Sequence, residues 1–327
     1  MKRLLTVEEV AGLITSGQPL LVAGAEALLR QLPRGRWVGG TIPYFMDEEV
    51  GRQTEEKLQV TVFPADYPAR TRLYSFDELP ALPGDYPASG LSLIIIPSGS
   101  PTLSRFAKEG ALWPGFFDRP LAGWVAGVRL DRLGVEVPRV FDGATGAVSG
   151  DGAAVLHVEL PAGLVAKTEI INLFEPAGGD VITFPEDGFA ATDCFVNGQP
   201  RALIDYLTER QADPRWPLVC DFGGSLINVA FQTVDPAQRR VTFYGPVFAG
   251  AEYRLARPLD DYERQFQAAH QRRRGNPRFE CNCVLNYLYA DLEGHRIADA
   301  RGPFTFGEIA WMLLNQTVVS VTIEPLP

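Results

Sequence analysis

Residues 279–323, FECNCVLNYLYADLEGHRIADARGPFTFGEIAWMLLNQTVVSVTI, set amides, thiols and a carboxylate between apolar runs more densely than any other part of the chain. Within this stretch, 284–289 and 318–323 are short and rich in β-branched or aromatic residues, so they read as core strands or as the start of a core helix. Asn282, Asn286, Glu308 and Asn315 then lie beside a core. A buried amide or carboxylate is costly unless something pairs with it, so each needs a protein, water or ligand partner. Pairing with backbone would merely fix loops. Clustering of four such groups favours the floor of a ligand site.

Working outward, the chain of 327 residues carries a formal net charge of -10, and its one arginine run is Arg272, Arg273 and Arg274. That balance argues against nucleic acid as a partner. The amino terminus lacks the apolar core of a signal peptide, and the longest apolar run, 91–97, is too short to span a bilayer, so no membrane is expected and a cytoplasmic location is. Four cysteines, Cys194, Cys220, Cys281 and Cys283, show neither CxxC nor a regular framework, which points to reduced thiols. Cys281 and Cys283, two apart, share a face if the segment is a strand; a zinc site would need two further ligands that the sequence does not offer.

Upstream, Thr6 with Glu8 and Glu9 marks the start of a short amphipathic helix over 6–14. A strand over 19–23, a helix over 25–32 and a strand or loop over 37–45 follow, with Gly39-Gly40 allowing a close backbone approach or a plain tight turn. Residues 58–63 alternate as a half-buried strand should, and 91–96 read as a strand between two layers. Ser98-Gly-Ser-Pro-Thr lacks the spacing and lysine of a phosphate loop and reads as a strand-to-helix connection capped by Ser or Thr. Strands are expected over 122–130, 152–160, 164–173 and 180–184, then an Asn197-Gly198 hairpin turn and a helix over 200–210. The prolines of 211–217 make this the best internal boundary. Beyond it lie strands over 226–234, 240–248 and 253–256 and a helix over 260–270. The pattern predicts an α+β fold in two parts, 1–210 and 211–327, of mixed, largely antiparallel sheets with flanking helices and a ligand pocket between the parts.

Taken in order, these pieces resemble the FIST sensory domain, its amino- and carboxy-terminal parts together covering nearly the whole chain. The correspondence runs through the helix over 25–32 leading into Trp37-Val-Gly-Gly-Thr; Phe141-Asp-Gly and Asp151-Gly152-Ala-Ala-Val; Phe195-Val-Asn-Gly-Gln-Pro; Val241-Thr-Phe-Tyr-Gly-Pro; and Gly302-Pro-Phe-Thr-Phe-Gly-Glu-Ile. The resemblance implies a small-ligand sensor, with an amino acid or related metabolite as ligand, that signals through a separate partner protein. Some members of that family bind haem, and haem would need one of His157, His270 or His295 as axial ligand. Two departures bear on the ligand. Cys281-Asn282-Cys283-Val284 stands where the family commonly has a cysteine followed by glycine and arginine, and Gly39-Gly40-Thr41-Ile42-Pro43 lacks the family's cysteine turn.

The expected ligand contacts are Asn282, Asn286, Thr305, Phe306, Glu308 and Asn315 from the carboxy-terminal part, and Trp37, Gly40, Thr41 and Tyr44 from the other. Glu308 would hold an ammonium group, with Phe304, Phe306 or Trp311 adding a cation–π contribution of about 0.5 to 2 kcal/mol, or would cap and pair inside the fold. An enzyme using Cys281 or Glu308 on a small metabolite is the alternative from another class. It requires a thiol whose pKa a basic neighbour lowers. His157, flanked by Val155, Leu156 and Val158, reads as a core histidine.

Overall fold

Thr6 closes both halves of a capping box on the first helix, Val7–Thr15: its hydroxyl accepts from Glu9 N at 3.2 Å while its own N–H donates to the Glu9 carboxylate at 2.7 Å. The apolar face of that helix, Val10 and Ile14, packs with Leu20, Val22, Leu29, Trp37, Leu58 and Phe141 in a small cluster. The computed structural model describes residues 4–272, 275–297 and 300–326; Met1 to Arg3, and Arg273 and Arg274 of the basic run, lie outside the described residues.

The first sheet runs Leu4–Leu5, Leu58–Val62, Leu20–Gly24, Trp37–Thr41, Val140–Asp142, Ala147–Ser149, with one parallel pair, Leu20–Gly24 beside Trp37–Thr41. A second sheet runs Met312–Leu314, Glu308–Ala310, Leu121–Ala126, Gly90–Pro97, Ala153–Glu159, Ala69–Tyr74. In it Gly90–Pro97 and Leu121–Ala126 are parallel. The strand Gly90–Pro97 is buried from Leu91 onward, as a strand covered on both faces must be. A third sheet, Leu164–Asn172, Thr317–Pro325, Phe279–Cys283, Phe304–Thr305, ties the tail to the middle of the chain. The fold is therefore α+β, in several open and mostly antiparallel sheets with a few helices. The carboxy-terminal strands belong to the same sheets, and to the same main core, as the opening half.

A smaller core, Ile182 to Tyr253, fills a sheet of Gln199–Ala202, Asp193–Val196, Ile182–Thr183, Tyr253–Leu255, Leu218–Phe222 and Ser225–Val229. Its strands come from both sides of the 210/211 boundary. Asn197 and Gly198, at φ 50° and 77°, form the expected hairpin turn, but Pro200 sits in the returning strand, so the helix begins at Leu203. The segment expected as one strand over 226–234 is two, Ser225–Val229 and Phe231–Asp235, in different sheets. Ser100 caps the helix Pro101–Glu109, accepting from Leu103 N at 3.0 Å, so Ser98-Gly-Ser-Pro-Thr is a strand-to-helix connection. Among the described residues no helix is long and apolar enough to cross a membrane.

Candidate functional site

The polar residues of the closing stretch come together and are sealed. Asn282, Asn286, Thr305, Glu308, Asn315 and Thr317 are each at most 1 % exposed. Thr317 donates to one Glu308 carboxyl oxygen, Oε2, through its N–H at 3.1 Å and its hydroxyl at 2.8 Å. Asn282 Oδ1 accepts from Cys283 N at 2.8 Å and from Asn286 Nδ2 at 2.7 Å, and Tyr262 donates its hydroxyl to Asn286 Oδ1. Thr305 lends its hydroxyl to the Asn282 and Gly307 carbonyls at 3.1 and 3.0 Å. Next to this knot, Asn228 donates to Asn172 Oδ1 at 2.9 Å and to the Asn315 carbonyl at 3.0 Å, pinning the small core's sheet to the tail.

Among the described residues, Glu308 Oε1, Asn282 Nδ2 and Asn315 Oδ1 have no hydrogen-bond partner. Burial pushes the Glu308 carboxyl up to about 8, against the hydrogen bonds from Thr317 that favour its charged form. It is a neutral acid near pH 7. Burial likewise raises the thiols of Cys281 and Cys283, with the Glu308 carboxyl as second cause. A nucleophilic thiol needs the opposite shift. Cys281 instead donates to the Gly123 carbonyl at 3.2 Å. Among the described residues no three His, Cys, Asp or Glu side chains group as metal ligands.

The four residues expected from the opening part fall in different places. Trp37 sits in the small cluster under the first helix, its indole N–H donating to the Pro33 carbonyl at 2.8 Å. Tyr44 belongs to the main core, tilted against Tyr287 with ring centroids 5.4 Å apart, and accepts from Leu130 N at 2.9 Å. Gly40 has no room for a side chain: a Cβ there would stand 2.6 Å from Ile95 Cγ2 and 2.7 Å from Trp124. Its function is close packing between sheets. Thr41 alone of the ten candidates lines a described cavity.

That cavity, of about 710 Å³, opens where three strands end. Ala25 follows Leu20–Gly24, Thr41 ends Trp37–Thr41, and Gly127 follows Leu121–Ala126. A crevice outside the carboxyl ends of strands is where open sheets with parallel pairs commonly take ligands. Phe306 lies one layer behind: a Cβ on Gly127 would stand 2.0 Å from its ring, so Gly127 lets the tail support the cavity wall. Ile42, Pro43, Val128, Val135 and Val137 give the cavity an apolar surface.

Three arginines line it with unequal freedom. Arg30 pairs with Glu26 at 2.5 Å, and Arg129 pairs with Asp131 at 2.8 Å and Glu55 at 3.7 Å. Half-buried Arg139 has no carboxylate partner among the described residues. Its backbone is held from both sides by Thr41, which accepts the Arg139 N–H on its hydroxyl at 3.0 Å and donates its own N–H to the Arg139 carbonyl at 2.9 Å. The wall therefore carries three acids, Glu26, Glu55 and Glu136, and three arginines, of which Arg139 is the one with no carboxylate partner among the described residues. Arg139 stands in the sequence as the cation closing Gly134-Val-Glu-Val-Pro-Arg, an apolar loop with one acid; that isolation was the available signal.

His157 is buried, with Ser92 Oγ at 2.8 Å from one ring nitrogen and Tyr74 Oη at 3.0 Å from the other. Tyr74 in turn donates to Asp85 at 2.7 Å. Burial pushes the imidazole down to about 4. A lowered folded pKa costs stability as pH falls from about 6.5 towards 4, by about 1.4 kcal/mol per pH unit, and costs nothing above that window. Urea midpoints measured from pH 7 to pH 4 should fall less steeply in His157→Gln than in the unaltered protein.

One protein family matches the chain, a family of unknown function (DUF6976), over residues 5–324. No curated protein matches it.

Proposed function

We propose that the chain, a member of the family of unknown function DUF6976, is a cytoplasmic small-ligand-binding protein of sensory type, whose ligand is an amino acid or related carboxylate. The observation that carries this reading is Arg139: a half-buried arginine lining the cavity, its backbone held by Thr41, with no carboxylate partner among the described residues. A guanidinium offers paired N–H donors matched to a carboxylate, and leaving it unpaired in a partly desolvated site is unfavourable. The apolar residues Val128, Val135 and Val137 suit the body of such a ligand, and Glu26, Glu55 and Glu136, each paired with an arginine, also line the cavity. The resemblance to the FIST sensory domain supports the same reading, because Ala25, Glu26, Ala27, Arg30 and Thr41, all in or beside its first correspondence, line the cavity. A signal would then pass to a separate partner protein.

Titration calorimetry with the twenty amino acids tests it. At least one should bind, and Arg139→Ala should weaken that ligand ten- to a hundredfold, as loss of a charge-assisted hydrogen bond of roughly 1.5 to 3 kcal/mol requires. Equal affinity in the Arg139→Ala protein would remove Arg139 from the site.

A further inference from the structure

We propose that a second cavity, of about 730 Å³, binds a multiply charged small oxyanion, a phosphate ester or a polycarboxylate, between the opening third of the chain and the carboxy-terminal block. One wall is Gln18 and the strand residues Gln59 to Val62; the other carries Arg278, Arg296 and Arg301. None of these residues lines the strand-end cavity.

Three arginines converge here in a chain whose net charge is -10. Glu48 and Glu280 also line the cavity, and Glu280 is engaged, accepting Arg301 N at 2.6 Å. Arg278 spends one N–H on the Val62 carbonyl at 3.2 Å, and Arg301 spends one on Asn276 Oδ1 at 2.6 Å. Arg296 is exposed and has no carboxylate partner among the described residues.

Among the described residues, two buried polar atoms at this cavity have no hydrogen-bond partner: Arg301 Nε, a donor, and Gln18 Oε1, an acceptor. A buried donor on a charged group without an acceptor is costly, so its position at a cavity wall points to an acceptor supplied from within the cavity. A single carboxylate satisfies one guanidinium fork. Three guanidinium groups around one space match an anion with two or more charged groups, and Gln18 Oε1 matches a hydroxyl or protonated oxygen on the same molecule. Such a ligand would clip the first sheet to the tail.

Pyrophosphate and citrate, each titrated calorimetrically at matched ionic strength, are the probes. The expected result is saturable binding of one molecule per chain, weakened at least tenfold by Arg296→Glu, an exposed position, and by Arg301→Gln, and unchanged by Arg139→Ala. Binding of pyrophosphate alone assigns a phosphate ester, and binding of citrate alone a polycarboxylate. Absence of saturable binding for both, or equal affinity in the Arg296→Glu and Arg301→Gln proteins, would overturn the proposal. So would weakening by Arg139→Ala, which would move the anion to the strand ends.

Discussion

Glu308→Gln should make the protein more resistant to urea at pH 8 than the unaltered chain, with the gain shrinking as the pH is lowered to 5. The carboxyl is fully buried and pushed up to about 8, against an ordinary value of 4.5. Between those two pH values the unfolded chain gives up the proton that the folded chain retains. The stability this group contributes is therefore complete below about 4.5, falls by about 1.4 kcal/mol per pH unit as the pH rises, and levels off above about 8. Glutamine fills the same space, accepts from Thr317 and cannot ionise. Its advantage should therefore grow with pH by a few kcal/mol across the window.

Glu308→Ala, compared at pH 5, should instead cost about 2 to 5 kcal/mol, because it leaves a cavity and strands the Thr317 N–H and hydroxyl. Urea unfolding of the three proteins at pH 5, 6.5 and 8 measures both effects. A Glu308→Gln gain that does not change with pH would mean that the folded state holds a charged carboxylate.

Gly302→Ala should be the most damaging single methyl addition in the tail. Gly302 has φ +79°, a conformation that costs an L residue about 1 to 2 kcal/mol. A Cβ there would stand 1.9 Å from the Glu280 carbonyl oxygen, which belongs to the neighbouring strand and cannot swing aside. Strain and overpacking together predict a loss of about 2 to 4 kcal/mol in unfolding experiments. Gly84→Ala, where a Cβ meets nothing within 4 Å, is the control and should stay within about 0.5 kcal/mol. Similar losses in both would contradict the packing described for Gly302.

The sequence was legible where one physical rule acted alone. The helix start at Thr6, the buried strand Gly90–Pro97 and the Asn197-Gly198 turn each follow from local chemistry. The closing stretch was also read correctly as a place where polar groups meet a core. Periodicity could not reveal that the core would seal them, because Asn282, Asn286 and Thr305 find partners in one another and in Tyr262, a residue outside the stretch. Residues 284–289 were ambiguous between strand and helix, being short and apolar, and form a helix.

The candidate site divided for a similar reason. Trp37 and Gly40 were grouped by neighbourhood in the chain, yet successive strand residues face opposite sides: Trp37 packs under the first helix and Gly40 against Ile95 and Trp124. Only Thr41, at the strand's end, reaches open space. Arg139 could not be found by that route, since the backbone pairing that sets it beside Thr41 joins segments far apart in the chain.

The measurement that bears most directly on the account is a crystal structure of the protein with the tightest-binding amino acid from the calorimetric panel. The ligand should lie in the cavity bounded by Thr41, Gly127 and Arg139, its carboxylate within hydrogen-bond distance of the Arg139 guanidinium and its side chain against Val128 or Val137. A ligand seated beside Glu308, or anywhere that leaves Arg139 untouched, would contradict it.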